Sequence, residues 1–184
     1  MTTLVGLDAT TDSAYTTGYN VNGNAGIRML ATKYVAIATG TATSMEVNHL
    51  DLGDGVQSCK MFILDSTFKI LGKTGAVSSP GSGASRLSSA LDTSVSITSG
   101  STYYLGIVAD PAGGSGDGRF TQATDGTNTA NEFEVDMSNP PNYASPPATG
   151  ATVTLSAGGQ FNFSINANGT IGGGSSTPIA WIRA

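Results

Sequence analysis

Residues 95–110, VSITSGSTYYLGIVAD, decide the fold. Val95 and Ile97 alternate with Ser94, Ser96 and Thr98, the period-two pattern of a strand with one buried face. Ser99 and Gly100 read as a turn, because glycine accepts positive φ without a Cβ clash. Beyond the turn, residues 103–108 (YYLGIV) are almost wholly apolar or aromatic, which fits a central strand covered on both faces. The stretch therefore predicts a hairpin of two neighbouring core strands, the spine of a sheet. Successive strand residues point to opposite sides. Tyr103 and Tyr104 are expected in different layers, one in the core and the other in the opposite layer or at a subunit contact.

Outward from this spine, composition points the same way. The chain has 184 residues, enough for one good core and too few for two ordinary domains. Only 11% of residues are charged, but 39% are hydrophobic, so folding is expected. Abundant Thr, Ser, Val and Ile, with few helix formers, predict an all-β protein. The net charge of −5 argues against nucleic acid and against an anionic membrane surface as partners. A single cysteine excludes an internal disulfide. The opening MTTLVGLDATTD lacks the basic start and apolar centre of a signal peptide, and no apolar run approaches the ~20 residues of a membrane helix.

Along the chain, residues 1–24 read as an N-terminal arm or a loose edge segment, and 25–184 as a single domain. Strand signals recur around 27–31, 34–38, 45–49, 59–65, 68–72, 119–120, 131–136, 151–155, 160–165 and 178–183. Residues 85–91 fit a strand or one helical turn. Gly-, Pro- and Ser-rich loops are expected at 78–83, 111–118, 138–150 and 166–176. The four prolines of 138–150 forbid an interior strand. The predicted architecture is a two-sheet antiparallel β-sandwich, jelly-roll-like, with a closed barrel as its rival.

Candidate chemistry is sparse. His49 is the sole histidine, so any Ser-His-Asp triad must use it, and no G-x-S-x-G elbow presents a nucleophile. Cys59 lies in an apolar run and reads as a small buried residue. No catalytic or cofactor-binding residue is assigned. Asp51 and Asp54 beside glycines, with Asp110 and Asp117 flanking the 111–118 glycine run, are the calcium candidates; ordinary turn chemistry is the competing reading. Tyr34, Tyr104 and Tyr143 are the candidates for stacking on a glycan. The glycine loops do not lead into helix N-termini, which argues against phosphate binding.

Residues 60–65 (KMFILD), 87–91 and 97–107 (ITSGSTYYLGI) together resemble β-sandwich modules of tailed-bacteriophage particles and bacterial jelly-roll binding domains, in which an I-x-x-G-x-x-Y-x-L hairpin supplies two neighbouring core strands. The likeness covers roughly residues 56–110 and transfers no catalytic residue. It implies a non-enzymatic structural role in a virion, as a capsid decoration protein. The alternatives are a receptor-binding tail or fibre component and a lectin-like module. The implied partners are copies of the chain itself, with a trimer favoured, and a major capsid or other virion protein, with a surface glycan under the alternatives.

Overall fold

The computed structural model describes residues 1–6, 18–20, 28–49, 58–79, 85–110, 119–123, 132–136, 143–157, 162–163 and 165–172. Within them run β1 (Thr2–Gly6), β2 (Gly18–Asn20), β3 (Arg28–Val35), β4 (Gly40–His49), β5 (Ser58–Leu64), β6 (Ile70–Lys73) and β7 (Val77–Ser78). There follow β8 (Ser85–Ile97), β9 (Thr102–Ala109), β10 (Arg119–Ala123), β11 (Glu132–Asp136), β12 (Ser156–Ala157), β13 (Asn162–Phe163) and β14 (Ile165–Ile171). No helix occurs among the described residues, and 85–91 resolves as strand.

The strands form two antiparallel sheets, as the all-β sandwich reading requires. In the first, the long strands lie in the order β1-β14-β4-β8. β10 continues that sheet past the end of β14, where Phe120 pairs with His49, and carries β2 and β13. The second sheet runs β12-β11-β3-β9-β5-β6, with β7 beside β5.

The core between the sheets follows from side-chain alternation. Met45 and Val47 of β4, Leu87, Val95 and Ile97 of β8, and Ile165 and Ala167 of β14 face Met61, Ile63, Tyr103, Leu105 and Ile107 of the other sheet. Leu4 and Val5 of β1 belong to the same cluster and are fully buried. The first six residues are thus an edge strand of the sandwich, while 7–17 and 21–27 lie outside the described residues.

Two expectations need correction. β8 and β9 are not a hairpin within one sheet: β8 pairs with β4, whereas β9 lies between β3 and β5 in the other sheet. The Ser99-Gly100 turn carries the chain across the sandwich. Gly100 sits at φ 80°, its N–H donates to the Ala36 carbonyl at 2.9 Å, and the Tyr103 hydroxyl accepts the Thr98 N–H at 3.0 Å. Gly100 is therefore the residue type that this turn requires.

The second correction concerns 166–176. Residues 165–171 are not a loop but an interior strand of the first sheet, paired on both edges. Ile165 and Ala167 are its inward positions. A Cβ on Gly169 would collide with the Thr41 carbonyl oxygen. Its outward Asn166 and Asn168 are buried and satisfied: Thr3 Oγ1 donates to Asn168 Oδ1 at 3.0 Å, and Asn168 Nδ2 donates to Glu46 Oε2 at 2.6 Å. Glu46 is in turn paired with Arg86, so one polar chain ties β1, β14, β4 and β8.

Candidate functional site

The second sheet is apolar on both faces. Its inner face closes the sandwich. Its outer face carries a second cluster made of Met29, Ala31, Phe62, Leu64, Ile70, Tyr104, Val108 and Val135. An uncovered face of this size would be unstable in water. Residues 143–155 cross it as a strap, and Tyr143, Val153 and Leu155 pack into the cluster. Phe68, Tyr104 and Phe133 meet beneath in edge-on geometry: Tyr104 lies 5.0 Å from Phe68 and 4.9 Å from Phe133, centroid to centroid. Such pairs add roughly 0.5–1.5 kcal/mol beyond the area they bury.

The strap is held by backbone and by charge. Its 150–153 segment hydrogen-bonds to Phe68 and Ile70 at β6: Ile70 N–H to Ala151 O at 2.8 Å, Gly150 N–H to Ile70 O at 2.7 Å, and Val153 N–H to Phe68 O at 3.1 Å. Two lysines take the ends of its first half. Lys60 Nζ donates to the Tyr143 carbonyl at 2.7 Å, and Lys73 Nζ to the Pro147 carbonyl at 3.0 Å. Asp92 of β8 accepts from the Lys73 backbone N–H with one oxygen and from Thr149 Oγ1 with the other, both at 3.0 Å. One carboxylate therefore joins both sheets and the strap.

Phe68 adopts φ 65°, unusual for a residue with a Cβ. Asp65 supports that turn by accepting from the Thr67 N–H at 2.8 Å, the Thr67 hydroxyl at 2.6 Å and the Lys69 N–H at 3.1 Å. Burial pushes the Asp65 carboxyl up, but the Thr67 and Lys69 hydrogen bonds outweigh it and hold it below the usual carboxylate range. At Lys60, burial and then the neighbouring Lys73 charge lower the ammonium's affinity for its proton, with Asp110 opposing them. Burial, chiefly, and then the Asp110 charge raise the Tyr143 phenol, against a hydrogen bond with Ser58.

These contacts relocate the expected working residues. The loop expected at 138–150 is, over 143–150, a structural cover. Tyr143 is 9% exposed and Tyr104 7%, so neither presents a ring face to a sugar. Tyr34 is half-buried and packs against the inner core. Tyr103 faces the inner cluster and Tyr104 the outer one, as their adjacency requires. Cys59 is buried, and desolvation pushes its thiol up to about 12.

Of the calcium candidates, Asp51, Asp54 and Asp117 lie outside the described residues. Asp110 is described, and its N–H donates to the Ser58 carbonyl at 2.8 Å. The strand ends that bound these loops, His49, Ser58, Asp110 and Arg119, share one end of the sandwich. Among the described residues no three His, Cys, Asp or Glu side chains gather as a metal site. His49 is 1% exposed and pairs across β4–β8 with Ser85.

The reason the sequence hid the strap is simple. Prolines rule out a place inside a sheet, but not one across its face. The available signal was the double-sided hydrophobicity of β5 and β9, which demands a cover for the outer side. No protein-family model matches the chain, and no curated protein matches it.

Proposed function

We propose that this chain is a non-enzymatic structural protein of a bacteriophage particle, a decoration protein on the outer surface of the capsid. The observation that carries the reading is how its ionic side chains are used. Lys60, Lys73, Asp92, Glu46 and Arg86 each tie one backbone segment or strand to another, and Asp65 braces its own turn. Such groups stiffen a shell; they are not poised on a substrate. The strand order supports the likeness to virion modules. β1-β14-β4-β8 faces β3-β9-β5-β6, and the chain alternates between the sheets as it does in a jelly roll, with β11 added at one edge. We read the fold as that class.

The chain assembles on this reading as a homo-oligomer, with a trimer favoured, seated on a major capsid protein in the virion. Contacts come from the loops and from 7–24. Removing all of 1–24 would also strip Leu4 and Val5 from the core, so the arm is tested by replacing 7–17 with a Gly/Ser linker. Purified protein is mixed with shells that lack it and sedimented. Saturable co-sedimentation, lost on replacement of 7–17, is expected. Failure of the intact protein to bind would remove the decoration reading; undiminished binding by the replaced protein would remove the arm.

A further inference from the structure

Asn168 and Gly169 are each demanded by different neighbours. A Cβ at 169 would collide with the Thr41 carbonyl oxygen and crowd the Ala42 Cα, at the point where the β14–β4 register shifts, so only glycine fits. At 168 the side chain has to accept and donate at once. Its Oδ1 accepts from Thr3 Oγ1 at 3.0 Å. Its Nδ2 donates to Glu46 Oε2 at 2.6 Å and to Asn166 Oδ1 at 3.3 Å. A carboxamide offers both functions. Together the two demands put an Asn-Gly dipeptide in the middle of an interior strand.

That dipeptide is chemically labile. With no side chain on the following residue, the Gly169 nitrogen can reach the Asn168 carboxamide once the backbone is free to turn. The nitrogen loses its proton and attacks Cγ; the Cγ–Nδ2 bond breaks and ammonia leaves. Water then opens the resulting succinimide at either carbonyl, leaving aspartate or isoaspartate. The folded sheet blocks the first step. Gly169 pairs with Thr2 on one edge and with Ala42 on the other, which holds its peptide in the plane of the sheet. The Asn168 side chain stands out of that plane, the residue is 3% exposed, and both ends of its amide are held.

Either product is wrong for the fold. A carboxylate in place of the amide sets negative charge against Glu46, where Nδ2 had donated. Isoaspartate also adds a methylene to the main chain, which breaks the register with β1 and β4. We propose that Asn168–Gly169 is a covalent modification site gated by the sheet. It stays intact while β14 is paired, deamidates in chains that open, and then keeps those chains from closing again.

The full chain is incubated at mildly alkaline pH with and without guanidinium chloride, and deamidation is followed by peptide mass mapping. Residues 22–23 are the other Asn-Gly pair, so fragmentation assigns the modified position. At 168 the native rate is expected to be about tenfold or more below the unfolded rate, as for other reactions gated by opening. Asn168→Asp mimics the product and should lower the urea midpoint or prevent folding. Introduced into Glu46→Gln, the same change should do less harm, because the opposing charge is gone. Three results would overturn the proposal: equal rates at 168 in the native and unfolded chains, an Asn168→Asp chain with the wild-type midpoint, or a loss of the same size in the Glu46→Gln background.

Discussion

Lys60 Nζ stands 4.5 Å from the centre of the Tyr143 ring and 2.7 Å from the carbonyl oxygen of the same residue. One ammonium thus fixes both the backbone and the ring of the strap's first described residue. The ring face attracts the cation, and the carbonyl takes one of its three protons. Replacing Lys60 by Ala leaves a carbonyl without its donor at the edge of an apolar cluster. The expected loss is about 1–3 kcal/mol in urea unfolding, with faster amide exchange over 150–153. Unchanged exchange there would show that the lysine does not hold the strap.

The Asp65 turn makes a pH prediction. Its carboxyl is held below the ordinary value in the folded chain. A depressed carboxyl contributes stability that is fully present above the unfolded value of about 3.9 and lost as pH falls through the folded value. Asp65→Asn should therefore cost stability at neutral pH, about 1 kcal/mol, and cost progressively less on acidification. A wild-type-to-variant difference that stays constant from neutral to acid pH would contradict the assignment.

Cys59 should be chemically silent while the chain is folded. Its thiol is buried and pushed up to about 12, so at neutral pH almost none is thiolate. A thiol reagent is expected to label it only in denaturant, at the rate at which the sandwich opens. Rapid labelling of the native chain would mean that β5 is not packed between β9 and β7 as described.

Leu4 tests whether the opening residues belong to the sandwich. It is fully buried in the inner cluster, beside Gly40 and Ile37. Leu4→Ala is expected to destabilise by about 2–5 kcal/mol, the cost of a core cavity. A loss below ~0.5 kcal/mol, typical of a surface site, would return residues 2–6 to the status of an arm.

What the sequence disclosed follows from how each element uses its side chains. β9 was legible because all its positions from Tyr103 to Ala109 are buried, and such a run admits little else than a central strand. The partner of β9 was not legible: a Gly turn reads the same whether it links two strands of one sheet or crosses to the other. Beyond Ile165, β14 escaped because Ala167 and Gly169 are small and the outward residues are asparagines, which are depleted in strands. The asparagines are tolerated because Thr3 and Glu46 complete their hydrogen bonds. Tyr143 looked available for stacking because nothing local reveals that Lys60, 83 residues away, will lie over its ring.

The most direct test of the virion role is quantitative mass spectrometry of gradient-purified phage particles from cells that make this chain. The account predicts that the chain co-purifies with the particles at a fixed ratio to the major capsid protein, with a copy number of the same order. Its absence from intact particles, while it is abundant in the lysate, would contradict the account.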